Sequence, residues 1–321
     1  MFRLKLCLED HQIYIYIVFI FIGIFCGLFF EHTQQIFEPS ISVLIAILMF
    51  GMFAQVPFLS LRNKLLNFRY IFALVLSNFL LIPVLVFLLV TVFNITSTPL
   101  LIGIYLVLLT PCIDYVIVFT KLGHGNAEYM LISTPILFVL QVILLPIYFF
   151  IFLNQDFSQY IDIKPFLETF ILLIVSPLLI AIILQYLSRK SNKMMKVLTL
   201  SEWIPVPFMA FVLMSVIGSQ ITKILSDLHV VSSVAPIYIC FMILAPFIGN
   251  FSGKMFNLPV DLKRTLAFSS STRNALVVLP LALSLPSQWS TIVTTVIVTQ
   301  TLVELMSELV YIKLIPKFII I

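Results

Sequence analysis

The segment Leu108–Gly125 reads LLTPCIDYVIVFTKLGHG and places a proline, a cysteine and an aspartate within four residues of an otherwise apolar run. That run is one of many. The chain has 321 residues, of which 61% are hydrophobic and 10% charged, and its mean hydropathy is +1.17. A soluble protein of this length needs far more polar surface to cover its core, so the composition specifies an all-α polytopic membrane protein. Apolar stretches of roughly 20 residues, long enough to cross ~30 Å of hydrocarbon, recur near 12–30, 41–59, 70–93, 100–120, 130–153, 166–187, 203–219, 230–250, 265–285 and 291–312. Ten spans with short connections leave one membrane transport domain over 1–321. The first span has no small-residue cleavage site behind it and reads as a retained helix rather than a signal peptide.

Lysine and arginine set the expected orientation. Alternate span ends collect Arg3 and Lys5; Arg62, Lys64 and Arg69; Lys121; Arg189, Lys190, Lys193 and Lys196; Lys254, Lys263 and Arg264; and Lys313 and Lys317. The opposite ends hold only Lys164 and Lys223, while Arg273 falls inside a span. The positive-inside rule then puts both termini in the cytoplasm, with the plasma membrane as the expected location. The net charge of +4 is loop topology, and no nucleic-acid partner is expected. Cys7, Cys26, Cys112 and Cys240 form no CxxC pair, so neither a disulfide framework nor a zinc site is indicated. His11, His32, His124 and His229 lie in loops or at span ends and read as solvated. No resident metal or cofactor is expected.

Five spans starting inside and five starting outside would make two inverted repeats, residues 1–153 and 154–321. ILMFGMFAQV (Ile47–Val56) aligns with VLMSVIGSQI (Val212–Ile221), and LLIPVL (Leu80–Leu85) aligns with ILAPFI (Ile243–Ile248). The fourth span of each half is the one interrupted by polar residues: Thr110–Asp114 (TPCID) in the first, Ser269–Asn274 (SSSTRN) in the second. Irregular backbone at membrane depth survives only where protein or a water-filled cavity satisfies it. Paired interruptions in corresponding spans therefore mark a transporter's central site. On this reading Pro111, Ser269 and Ser270 break the helices, and Thr110, Cys112, Asp114, Ser271, Thr272, Arg273 and Asn274 line a substrate cavity. The competing reading is a proline kink, a cysteine acting as a small hydrophobe and hydroxyls bonding back to their own helices.

Ionisable groups inside spans are costly, and Asp114, Arg273 and Glu304 are the three here. Asp114 and Arg273, one on each break, are expected to form a buried pair or to line the site jointly. Gln300, Glu304 and Glu308 follow i, i+4, i+8 and share one helix face. Glu308 is expected to be hydrated near the cytoplasmic end and Glu304 to lie deeper. Gln141 on the fifth span reads as the counterpart of Gln300, so that Asp114, Glu304, Gln300 and Gln141 are the candidates for coupling and gating.

TPCIDYVIVFTKLGHGNAEY, with Pro111, Cys112, Lys121, Leu122 and Gly125-Asn126, resembles the arsenite-efflux permeases of the bile acid:sodium symporter superfamily. SSSTRNALVVLPLAL with VTQTLVELMSELVYIKLIP is similar to the bacterial arsenic-resistance branch. The resemblance implies panel and core domains, with spans four and nine unwound where they cross at the midplane. It also implies departures. Sodium-coupled members place a Glu and a Gln-Asn pair at the ninth-span break to hold sodium; here Asn274 matches the Asn, Arg273 replaces the Gln and Ser269 falls near the Glu. A fixed cation there repels a second one. Arsenite permeases carry a glutamate where Ala275 stands, a charge that Asp114 or Glu304 would supply.

Two functions are expected in order. The first is proton-coupled arsenite efflux by antiport, with Cys112 as a soft ligand for arsenic and Asp114 or Glu304 cycling a proton. The second is ion-coupled transport of a small organic anion, with Arg273 holding its carboxylate. An intramembrane enzyme is a distant third, because no HExxH, GxSxG or clustered aspartates occur.

Overall fold

The computed structural model describes Leu8, 11–30, 32–55, 67–113, 116–153, Glu168 and 171–320. Asp114, Cys7, Arg3, Lys5, Arg62, Lys64 and Lys164 lie outside the described residues. Those described are helical throughout, joined by short turns: α1 Gln12–Phe29, α2 Thr33–Gln55, α3 Phe68–Val92, α4 Thr98–Leu108, α5 Val116–Leu122, α6 Ala127–Leu153, α7 Ser176–Ser188, α8 Asn192–Ser201, α9 Pro205–Ser226, α10 Leu228–Met255, α11 Val260–Ser271, α12 Ala275–Leu283 and α13 Ser287–Leu314. Among the described residues, five helices are long and apolar enough to cross a membrane, or six when the bent pair formed by α8 and the start of α9 counts as one. The chain divides into two compact units, one of Met1–Leu59 with Ile163–Leu228 and one of Ser60–Asp162 with His229–Ile321.

In the first unit α1 and α9 approach closely because glycines face each other. A methyl group built on Gly27 would overlap the Gly218 carbonyl, and one on Gly23 would meet the Met214 carbonyl at 2.6 Å. Gly23 and Gly27 form the small-xxx-small spacing that lets membrane helices pack backbone to backbone.

The second unit carries the interrupted helices and repeats the same device. Gly249 and Gly253 of α10 have that spacing, and a methyl on Gly249 would overlap the Leu266 carbonyl of α11. On α4, Gly103 admits the Val296 side chain of α13.

Proline shapes this unit as well. Pro83 removes an amide donor from α3, and a π-helical turn, Ser77–Leu81, precedes it. The Phe79 carbonyl, four residues back, accepts instead from the Tyr148 hydroxyl at 2.6 Å. Pro246 in α10 likewise frees the Met242 carbonyl, which accepts from the Tyr311 hydroxyl. Both α3 and α10 end alike, on an asparagine in the left-handed region (Asn94, φ 50°; Asn257, φ 51°). The next amide closes each end, Ile95 N–H to the Val90 carbonyl and Leu258 N–H to the Gly253 carbonyl, a pattern that satisfies otherwise orphaned carbonyls.

The Gly249 contact fixes α11 against α10, so it is the sensitive point of this packing. Gly249→Ala is expected to lower the unfolding free energy of the detergent-solubilised protein by ~1–3 kcal/mol. An unchanged denaturation midpoint would mean that α10 and α11 stand further apart than described.

Candidate functional site

The site is built where two helices stop and restart beside each other. α4 ends at Leu108 and α5 starts at Val116; α11 ends at Ser271 and α12 starts at Ala275. Between them Pro111 and Arg273 face each other as an isolated antiparallel bridge. The Cys112 amide donates to the Thr272 carbonyl at 3.1 Å, and the Asn274 amide donates to the Thr110 carbonyl at 2.9 Å. Pro111 suits this place. It disfavours a helical residue before it, and in this register the ladder bonds come from its neighbours, so its missing amide leaves no acceptor unmet.

Hydroxyl groups end the helices. Thr110 donates to the Leu106 carbonyl at 2.8 Å and Ser271 to the Ala267 carbonyl at 2.8 Å, local bonds that compete with continued helix. Ser269 and Ser270, expected within the break, belong to the last turn of α11; the extended residues are Thr272–Asn274. Short hydroxyl side chains leave the helix intact there because their backbone amides still find partners one turn back.

Arg273 is fully buried. Its Nη2 donates to the Ser269 carbonyl (2.8 Å), the Ser270 carbonyl (2.6 Å) and Asn78 Oδ1 (2.9 Å), and its Nη1 to the Leu108 carbonyl (3.4 Å). The guanidinium therefore sits at the carbonyl ends of both α11 and α4. Each such end carries roughly −0.5 elementary charge, so both favour a cation at this place. The Phe241 ring lies 5.7 Å from the guanidinium carbon, within cation–π range.

One face of α13 meets the second break. Glu304 Oε2 accepts from the Arg273 main-chain amide at 2.9 Å and from the Gln300 side-chain amide. The Thr272 hydroxyl lies 2.7 Å from Glu308 Oε1. Glu308 is fully buried rather than hydrated, because its side chain packs against the second break at Thr272. Asn274 Oδ1 caps α12 by accepting from the Val277 amide at 3.2 Å. Asn274 Nδ2, Ser270 Oγ, Gln300 Oε1 and Glu308 Oε2 are buried without hydrogen-bond partners among the described residues, a concentration of unmet polar capacity that calls for an occupant or a proton.

The crossing thus brings together Thr110, Pro111, Cys112, Ser269, Ser270, Ser271, Thr272, Arg273, Asn274, Gln300 and Glu304. Cys112 is buried and in no disulfide. Gln141 is buried in α6, and its Oε1 has no hydrogen-bond partner among the described residues. Asp114, the expected partner of Arg273, lies outside the described residues. Asn78 joins the site without belonging to either expected interruption. It sits in the π-helical turn of α3, accepts from Arg273 and donates to Ser269 Oγ at 3.0 Å. Its signal in the sequence is the polar pair Ser77-Asn78, five residues before Pro83 in an apolar span.

Polar side chains buried where two interrupted apolar helices meet are the build of a secondary membrane transporter. A model described as "Sodium Bile acid symporter family" matches residues 42–227. The match takes in more than half of the chain, and the chain belongs to that family, whose members are transporters. It includes the first break and stops before the second. Among curated proteins none matches the chain.

Asn78→Ala removes an acceptor from a buried charge and is expected to cost ~1.5–3 kcal/mol of unfolding free energy. The loss should shrink in an Arg273→Met background, with a coupling of ~0.5–3 kcal/mol measured by denaturant unfolding. Strictly additive losses would show that Asn78 does not hold the guanidinium.

Proposed function

We propose that the chain is a secondary transporter of ten spans in two inverted five-helix repeats, residues 1–153 and 154–321, moving a small uncharged arsenic oxyacid outward across the plasma membrane. Several pairs support the repeat at one offset of 163 residues: Pro83 with Pro246, Asn94 with Asn257 and Tyr148 with Tyr311. Leu108 and Ser271, the last residues before the two breaks, share it. At that offset Gln141 corresponds to Glu304 rather than to Gln300. Counting α4 with α5 and α11 with α12 as single interrupted spans, and α8 as a connector, yields ten. One compact unit collects the first two spans of each half and the other the last three, which supports the panel and core reading. Both termini are cytoplasmic, as the basic loops require.

The observation that carries the substrate reading is the state of Arg273. Its guanidinium donates into protein oxygens, while the thiol of Cys112 and the amide of Asn274 belong to the same crossing. A thiol beside neutral donors suits a small uncharged oxyacid with a soft centre. Cys112 makes the soft contact; Asn274, Thr110, Ser271 and Thr272 meet the oxygens. Efflux is coupled to inward proton movement through Glu304 or Asp114. Glu304 accepts directly from the backbone of the break, so its proton state changes a bond that shapes the site; Arg273 faces it from the break, Gln300 and Glu308 stand one turn away on α13, and Thr272 donates to Glu308. The second reading, a small organic anion, is supported by the family's description and requires Arg273 to exchange its oxygen partners for a carboxylate.

In cells lacking their own efflux pump, the wild-type chain is expected to raise the tolerated arsenite concentration. Cys112→Ser should return it to the empty-vector level at unchanged membrane abundance, while joint replacement of Cys7, Cys26 and Cys240 by serine should retain resistance. Full resistance with Cys112→Ser would make the thiol a packing residue. In everted vesicles Glu304→Gln should abolish proton-gradient-driven arsenite movement; unaltered gradient dependence would remove Glu304 from the coupling.

A further inference from the structure

α8 is a ten-residue helix that buries little of itself. It joins α7 to α9 and turns 43° away from the start of α9. It packs against α7 and α2, and the Gln55 side-chain amide of α2 anchors its far end by donating to the Glu202 carbonyl at 3.2 Å. Met194 and Leu198, one turn apart on the inward face, are half-buried, and Ser201 is buried. The outward face is mixed. Lys193, Lys196 and Leu200 follow i, i+3, i+7 and share it; all three are exposed, as are Met195 and Val197 beside them. Isolated helices of this length are marginal in water, so a helix with this many exposed apolar side chains needs a surface to lie on. Hydrocarbon would not accept its lysines, and bulk water would not reward its leucine, methionine and valine. The boundary between headgroups and acyl chains suits both.

The flanks of α8 set its depth. Tyr186, near the end of α7, is exposed, and Lys190 donates to its hydroxyl at 3.0 Å with Nζ 4.7 Å from the ring centroid. Trp203, two residues past α8, is partly exposed. Tyrosine and tryptophan collect at membrane–water interfaces, where an apolar ring and a polar tip are both satisfied. α8 therefore begins and ends at headgroup level. The charge there has one sign: Arg189, Lys190, Lys193 and Lys196 lie within eight residues, and no carboxylate side chain occurs between Glu168 and Glu202. Basic groups at a membrane surface attract anionic lipid, most strongly when an amphipathic helix presents them. We propose that α8 is an interfacial helix and that Lys193 and Lys196 bind the phosphates of anionic phospholipids in the leaflet that meets it. Anchored so, α8 holds the joined ends of α7 and α9 at one depth in the membrane. A basic loop that serves orientation alone needs neither a helix nor an apolar face, and any loop of equal charge would do as well.

The test is thermal unfolding of the full-length protein in dodecyl maltoside, followed by tryptophan fluorescence, with dioleoyl phosphatidylglycerol or dioleoyl phosphatidylcholine added at equal mole fraction. Phosphatidylglycerol is expected to raise the wild-type midpoint by about 3 °C or more over phosphatidylcholine, saturably and less at high salt. Inorganic phosphate at the same concentration should give no such rise. Lys193→Gln combined with Lys196→Gln should lose about half or more of the phosphatidylglycerol-specific rise and keep the phosphatidylcholine response. Lys313→Gln combined with Lys317→Gln removes the same charge from another basic end and should keep the rise. Equal effects of the two lipids would overturn the proposal, as would a rise with phosphate or an undiminished rise in the α8 variant. Equal losses in the two paired variants would reduce α8 to bulk charge and overturn it too. Both α8 lysines are exposed, so their replacement should leave folding intact; if the paired variant does not purify folded, Lys196→Gln alone is read by the same criteria.

Discussion

A cation with no access to water has to be matched by groups that cannot move away from it, and Arg273 meets that constraint at the ends of two helices. Its guanidinium is bonded to the terminal carbonyls of α4 and α11 and to Asn78. In continuous helices those carbonyls would accept from amides of their own helix. The interruption frees them, and the cation offsets the electrostatic penalty of the interruption in a low-dielectric interior. Break and charge therefore depend on each other: without Arg273 two helix ends point oxygen at oxygen, and without the break the guanidinium would lose these acceptors.

The rest of the second unit holds this junction in place. The α10 glycines Gly249 and Gly253 bring α11 close enough for its last turn to reach α4. The proline of α3 creates the π-helical turn that carries Asn78, and the Tyr148 hydroxyl satisfies the carbonyl that this turn would otherwise strand. From the other side α13 supplies carboxylates, with Glu304 holding the Arg273 amide and Glu308 meeting the Thr272 hydroxyl. A change at either carboxylate reaches the break through one hydrogen bond.

Much of this is legible in residues alone. TPCID and SSSTRN mark the two interruptions because proline removes an amide from the helix ladder and short hydroxyls compete for its carbonyls. The Gln300, Glu304, Glu308 spacing places three polar groups on one face. Three features are not legible, each for a physical reason. Ser269 and Ser270 read as breakers by type, yet a serine can remain helical while its carbonyl is the group that matters. Glu308 reads as hydrated from its place in the span, but its contact with Thr272 across the fold, not sequence position, buries it. Asn78 carries no pattern, being a lone asparagine near a proline, until the π-helical turn aims it at Arg273. The direction of the Arg273 side chain is equally open: sequence offers a carboxylate, in Asp114 or in a substrate, while the described residues supply carbonyl oxygens.

The central claim, that the guanidinium is locked into those oxygens, is tested most directly by nitrogen-15 NMR of the arginine side chains in lipid nanodiscs. The chain has six arginines, Arg3, Arg62, Arg69, Arg189, Arg264 and Arg273, so Arg273 can be assigned by its loss in Arg273→Lys. Individually resolved Nη protons are predicted for Arg273, with slow rotation about the Cζ–Nη bonds and slow exchange with water across neutral pH. Averaged Nη signals exchanging with water as rapidly as those of loop arginines would contradict the claim.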